Sequence, residues 1–437
     1  MSETREQFQA RLQRTLRPAK PVEVAKAAAP LPDWFVRRMQ RSPLPEASAS
    51  PGHQRTRGLP ERLVTETNAR GSFGVRIERL GLDFEHGSAR LDAVLSARGD
   101  ALALLCGDVA LRDFDPRRAT FLDIETTGLS GGAGTQVFQV GLLELDADGF
   151  QLWQAFLRSP DEAPALLQAC ADRVRARGAL VSFFGKSFDR HRLEDQMRLH
   201  GVAPPFAGRP HLDLYHPCRR LYGKAFADGR LATMERELCG VRRERDLPGA
   251  FAPAAWFDFL AGREHLLEAV FLHNKLDVLS LVGLCAHLAD VLAPSRDTEP
   301  AGPSLVRARS LALWFSKQRD FGRALAWSER ALREAETDPV ALACQARALE
   351  RTQRRSEARA AFALLASVAE DGLAAEALGE IARIDLGAGA LDGARAACAQ
   401  AATLGESALT GSRSARLARK LARVRSALAK DVAKPRR

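Results

Sequence analysis

Four acidic residues sit where the surrounding chain is apolar. Asp123 and Glu125 alternate with Phe121, Leu122 and Ile124 in FLDIETTGL. Asp189 follows the run ALVSFF and the bend GKS, and Asp277 lies among Phe271, Leu272, Leu276, Val278 and Leu279. Acidic side chains in such surroundings are costly unless something positive meets them. Residues i and i+2 of a strand share a face, so Asp123 and Glu125 point the same way. On a helix, Asp277 has His273 and Asn274 as face neighbours, four and three residues back. The positive partner of such a set is an arginine, a phosphate-binding loop with its own cation, or a metal ion. Singly, each residue has an ordinary explanation: a salt bridge or N-cap for Asp277, a hydrogen-bonded core position for His273. Another Asp-x-Glu, Asp297 and Glu299 in PSRDTEPAGPS, reads as solvated.

The glycine-rich GLSGGAGT is no nucleotide-binding loop, which needs G-x-x-x-x-G-K-[ST] between a strand and a helix. It has no lysine, and another strand-like run follows it. Gly185-Lys186-Ser187 lacks the earlier glycine, because position 180 is Leu.

The elements that must position these residues begin at Ala119. ATFLDIE, QVFQVGLLELD and FQLWQAFLR read as strands, the last two joined by the turn DADG. DEAPALLQACADRVRARG has helical spacing, with acids at its start and Gly at its end. Then come the strand ALVSFFG, the helix FDRHRLEDQMRLHG, the short strand HLDLYH and the helix RLATMERELCG. A long helix, REHLLEAVFLHNKLDVLSLVGLCAHLADVL, stops near Pro294. This order predicts a mixed sheet with helices on its faces. Asp213, in HLDLYH, reads as a strand-end cap or as an acid behind the main set.

On this reading residues 1–60 are a disordered basic segment, and 61–118 a small β-containing layer leading into the 119–293 domain. Residues 294–303 are a linker, 304–410 helical repeats and 411–437 a basic C-terminal tail. Ala324, Ala358 and Ala394 occupy equivalent places, 34 and 36 residues apart, each opening the second helix of a pair. That period resembles tetratricopeptide repeats, although most of their Trp, Gly and Tyr positions are missing. Of the net charge of +10, residues 1–60 carry +6 and residues 413–437 carry +9, leaving −5 for the rest. Basic ends of this kind attract polyanions. Seven scattered cysteines without a CxxC pair argue against a zinc ribbon or disulfide framework and suit a reducing, cytoplasmic location. MSETREQFQA is no signal peptide, and the uncharged run Val278–Leu288 is short for a membrane span.

With these elements in place, FLDIETTGL, FFGKSFD and HNKLD resemble the three motifs of the DEDD exonuclease superfamily. This is the DnaQ-like branch of the ribonuclease H fold, and the bacterial YprB-like group within it can carry tetratricopeptide-like repeats after such a domain. The resemblance spans residues 119–293 and implies an α/β ribonuclease H-like domain followed by an all-α helical-repeat domain. It implies that Asp123, Glu125, Asp189 and Asp277 hold two divalent cations, Mg²⁺ or Mn²⁺, and that His273 is the general base. It also implies that Thr126, Gly128 and Leu129 lie against the terminal nucleotide. His273 stands four residues before Asp277, the spacing at which relatives carry tyrosine. Phe184 stands where the second motif more often has asparagine.

The expected function is a metal-dependent 3′–5′ exonuclease acting on DNA or RNA, with no membrane partner. The helical repeats are expected to recruit a protein or guide the substrate. A structure-specific endonuclease on the same fold is an alternative. So is a non-catalytic nucleic-acid-binding scaffold.

Overall fold

The computed structural model describes residues 54–128, 135–223, 225–244, 246–293 and 301–432. The alternating runs form nine strands: β1 Val64–Asn68, β2 Gly71–Leu80, β3 Glu85–His86, β4 Ala89–Arg90, β5 Ala119–Thr126, β6 Val137–Leu145, β7 Phe150–Phe156, β8 Ala179–Ser182 and β9 His211–Asp213. Seven of them make one sheet in the order β1-β2-β7-β6-β5-β8-β9, and β3 and β4 pair separately. β5, β6 and β7 are antiparallel neighbours, as the meander predicts, whereas β8 runs parallel to β5 and β9 parallel to β8. The DADG turn closes with the Asp146 N–H donating to the Gly149 carbonyl at 2.8 Å, and Gly149 takes φ +145°. Only glycine adopts that conformation without strain.

Helices cover both faces: α1 Gly99–Cys106, α2 Ala163–Arg175, α3 Asp189–Leu199, α4 Tyr215–Tyr222, α5 Leu231–Cys239, α6 Ala252–Leu260 and α7 Leu267–Asp290. Strand alternation divides the core. Phe121, Leu143, Leu152 and Val181 pack on one face with Val278 and Leu281 of α7. Leu122, Leu142, Trp153 and Leu180 pack on the other with Leu166 and Cys170 of α2. Asp123 and Glu125 share the parity of Phe121, so they belong to the α7 face. By length and composition α7 could cross a bilayer, yet 67% of its most apolar window is buried in the protein. Its apolarity is that of a core helix.

The segment 61–118, expected as a small β-containing layer leading into the main domain, supplies β1 and β2 to the main sheet. β2 pairs antiparallel with β7 from Gly74↔Phe156 to Leu80↔Phe150. Residues 1–53 of the basic N-terminal segment, expected to be disordered, lie outside the described residues. Just beyond them Thr56 exchanges two backbone hydrogen bonds with His265, at 3.0 and 2.9 Å.

The C-terminal region is helical throughout its described residues. It forms three hairpins and a last helix: α8 Ala301–Lys317 with α9 Phe321–Glu334, α10 Pro339–Arg351 with α11 Arg355–Val368, α12 Asp371–Gly387 with α13 Leu391–Ala408, then α14 Gly411–Val432. Ala324, Ala358 and Ala394 are each fully buried near the start of a second helix. Residues 294–300 of the expected linker lie outside the described residues, and α8 already begins at Ala301. The Arg307 guanidinium donates to the carbonyls of Val291 and Ala293 at 2.8 and 2.6 Å, anchoring α8 to the C-terminal end of α7.

The expected basic tail is, up to Val432, a packed helix. Leu417, Leu421, Val424 and Leu428 recur on one face of α14 and are buried. Residues 433–437 lie outside the described residues.

Candidate active site

Asp123 stands in the middle of β5, opposite Gly141 of β6. Its Oδ2 accepts from the Asn274 Nδ2 at 2.8 Å. The Asn274 Oδ1 accepts in turn from Gln154 Nε2 at 2.9 Å, and Gln154 also donates to the Phe271 carbonyl at 2.8 Å. This chain ties β5, β7 and α7 together beneath Asp123. It fits only because position 141 has no side chain: a Cβ there would lie 2.2 Å from Asn274 Oδ1. Asn274 is fully buried and has nowhere to swing. Gly141→Ala should therefore cost about 1–3 kcal/mol by overpacking, measured by urea unfolding. Adding Asn274→Ala in the same chain should recover much of that loss, because the two positions share one space.

Glu125 is buried two residues on, opposite Gln139, just before an irregularity in the β5–β6 pairing at Thr126. Neither side-chain polar atom of Gln139 has a partner among the described residues. Asp189 opens α3 and is buried. Its placement depends on Asp213, whose carboxylate accepts from the backbone N–H of Phe184, Lys186 and Tyr215 at 2.8, 3.0 and 3.1 Å. Asp213 thus caps the end of β9 and pins the bend that delivers Asp189. Phe184 holds φ +65° in that bend, with its ring edge-on to Tyr215 at 4.8 Å. A bulky residue is rarely left-handed, and the Asp213 anchor holds it there.

Asp277 and His273 project from α7 toward a cation that sequence reasoning did not find. Arg243 is buried on the segment after α5. It donates to both oxygens of Glu235 at 2.5 and 2.8 Å, to Asp246 at 3.0 Å and to Asp277 at 2.5 Å. His273 Nδ1 meets Asp246 at 2.7 Å, and its Nε2 lies 3.5 Å from Asp277. Glu235 accepts from the Ser280 hydroxyl, which also meets His86 at 2.8 Å. Arg243 lies in the charged run VRRERD, which carries no motif of its own. Only the fold shows that one of its arginines turns inward.

The electrostatics follow from burial. Burial, then the charges of Asp277, Glu125 and Asp189, push the Asp123 carboxyl well above the usual carboxylate range. Burial, then Asp213, Glu125 and Asp277, do the same to Asp189. Burial alone would lower the His273 pKa. The charge of Asp277, the hydrogen bond to Asp246 and the charge of Glu125 outweigh it and carry His273 up to about 10. In this state His273 is a cation at neutral pH, a counter-charge to the acids.

The four acids are near enough to act on one another's charge. Even so, among the described residues no three His, Cys, Asp or Glu side chains are gathered as a ready metal-ligand group. The geometry explains the gap: Arg243 draws Asp277 to one side, and Asn274 holds Asp123. The donor set nonetheless suits a hard divalent cation, being made of carboxylates whose mutual repulsion such an ion relieves.

Of the residues expected against substrate, Thr126 is buried and its hydroxyl donates to the Gly128 carbonyl at 2.9 Å. Among the described residues, an added Cβ at Gly128 would meet nothing closer than Thr135 Oγ1 at 4.0 Å. Leu129 lies outside the described residues.

Comparison with known proteins bears on the fold that carries these residues. Residues 120–289 match the family model of the RNase_H superfamily. The uncharacterized protein YprB of Bacillus subtilis (strain 168) is 30% identical over 256 residues. The match covers 57% of this chain and 60% of that protein, so it stops short of the relative's full length.

Proposed function

We propose that the chain, whose residues 120–289 match the RNase_H superfamily model, is a metal-dependent nuclease, a 3′–5′ exonuclease hydrolysing phosphodiester bonds of DNA or RNA. The observation that carries this reading is the gathering of Asp277, Glu125 and Asp189 around Asp123, where burial and then their charges push its carboxyl well above the usual carboxylate range. A partly buried carboxylate repelled by three others is an unfavourable arrangement for stability alone. It is intelligible if divalent cations complete it.

Asp123, Glu125, Asp189 and Asp277 would hold two such ions, Mg²⁺ or Mn²⁺. When bound, the ions supply Lewis acidity that activates the attacking water and stabilises the attacking and leaving oxygens of the phosphodiester. The chain's own groups do the rest. Asn274 and Gln154 keep the Asp123 carboxylate oriented. Asp246 fixes the His273 ring through Nδ1, leaving Nε2 on the Asp277 side. Added positive charge offsets the field of the acids and lowers the His273 pKa toward neutrality, where Nε2 can accept the proton of the attacking water. Thr126 and Gly128 border the place where a nucleotide would approach. A reducing, cytoplasmic setting belongs to this reading and is supported by the free cysteines among the described residues.

Metal binding has a readout apart from activity. Mg²⁺ or Mn²⁺ at 100 times Kd should stabilise the fold by about 2.7 kcal/mol. Thermal melting in metal against chelator measures this, and no rise in either metal would count against the site. Linear and closed-circular single strands then separate the exonuclease from an endonuclease, since only the latter cuts circles. Arg243 seated on Asp277 is the one observation that favours a non-catalytic scaffold. On that reading the polynucleotide binds equally well with and without metal, and nothing is cut.

A further inference from the structure

Away from the acids, the hairpin domain holds a cavity of about 330 Å³ between the ends of α8 and α10, the start of α9 and the middle of α12. Lys317, Arg319, Arg347 and Arg351 line it, together with Glu350 and Glu380. Both acids are already neutralised: Arg383 binds Glu350 and Glu380, and Lys420 of α14 binds Glu380. Among the described residues, no carboxylate lies within ion-pair distance of any of the four cavity cations. Four uncompensated cations around one hollow repel one another. A cation in a helix's last turn is favoured by the helix dipole, which accounts for Lys317 and Arg351. It does not account for Arg319.

Arg319 holds φ +62° in the α8–α9 turn. The matching turns of the second and third hairpins place Gln353 at φ +65° and Gly389 at φ +77° there. The left-handed turn position therefore does not itself require an arginine; what places Arg319 with the other cations is the cavity wall it lines. The basic surface also continues. Arg416, Arg419, Arg423, Arg425 and Lys430 are exposed on α14, whose opposite face is packed against the domain. Lys420, on the same helix, reaches Glu380 in the cavity wall and joins the two regions.

We propose that this cavity and the exposed face of α14 form a second nucleic-acid site, which binds the phosphodiester backbone of a strand without reading its bases. The ligand chemistry is that of repeated monoanionic phosphates, met by arginine forks and lysine charges. The choice of a nucleic acid over an acidic polypeptide rests on the nuclease reading; the anion site itself rests on the cations.

The test is binding of a fluorescent 30-nucleotide single strand by the full chain in chelator, so that no cutting intervenes, across a salt series. The variant Lys317→Glu/Arg347→Glu/Arg351→Glu should bind at least tenfold more weakly at ~0.1 M salt. Its plot of log affinity against log salt should be shallower by about 2, at ~0.7 per lost phosphate contact. Arg347→Lys/Arg351→Lys, which keeps the charges, should stay close to the parent. Arg416→Glu/Arg423→Glu should show the same direction of change, and provides an independent variant should the first not fold. Unchanged affinity and slope in the reversed variants would overturn the site. So would tighter binding of poly-glutamate than of the strand by the parent protein. A protein that binds the strand through these cations yet cuts nothing leaves this site standing and removes the nuclease reading instead.

Discussion

Asp123→Asn will lose metal-dependent cleavage and, in chelator, yield a more stable protein. The replacement keeps the shape and the hydrogen bond from Asn274 but removes the charge. The activity loss should be at least ~10²–10³-fold, the scale of removing one preorganised group that stabilises the transition state. The stability gain follows from Asp123 being ionised at a cost, through burial and repulsion by Asp277, Glu125 and Asp189. The gain should fall in the ~0.5–2 kcal/mol range of single stabilising substitutions. Its pH dependence has a definite sign. The folded-state pKa lies above the unfolded one, so the parent is penalised above the folded pKa. As pH falls below that value Asp123 takes up a proton and the penalty shrinks, vanishing only below the unfolded pKa. The two melting curves should therefore converge in acid. A residue serving only the fold would show the reverse, with loss of stability on substitution.

Arg243→Ala should be the most destabilising single change at the site, by about 3–5 kcal/mol, because it leaves Glu235 and Asp277 buried without their cation. Burial already raises the Glu235 pKa, against the lowering influence of Arg243; without the guanidinium it rises further. Glu235 protonates as pH falls, so the gap between variant and parent should be widest near neutrality and should narrow in acid. Arg243→Lys should recover only part of the loss, since one ammonium cannot reproduce the fork that reaches Glu235, Asp246 and Asp277. Urea unfolding at several pH values measures all three proteins. A loss below 1 kcal/mol would show that the arginine is dispensable to the buried network.

Reading the chain before its structure succeeded where the signal was local. Alternation placed Asp123 and Glu125 on one strand face, DADG marked a turn, and the glycine after RELC ends α5 as Gly240 at φ +65°. It failed where meaning depended on distant partners. FGVRIERL alternates clearly, but nothing in it says that its partner is β7, about 75 residues later. Asn274 was visible beside Asp277, yet its role arises from Asp123, Gln154 and the missing side chain of Gly141, on three different strands. Arg243 sits among four other charged residues in a run without a motif, and only the fold closes over it. The C-terminal stretch, which reads as a basic helix or a tail, was legible only in part. The spacing of Leu417, Leu421, Val424 and Leu428 was readable, but the density of arginine and lysine around it suggested a polyanion-binding tail rather than a packed helix with one basic face.

The most direct measurement of the central claim follows a 5′-labelled single strand, as DNA and as RNA, with the full chain in Mg²⁺, Mn²⁺ or chelator. Asp123→Asn and Asp277→Ala proteins run alongside. The account predicts a ladder shortening from the 3′ end in the presence of metal, absent in chelator and in both variants. Cleavage that persists in chelator or in Asp123→Asn would contradict it, as would intact strands under every metal condition.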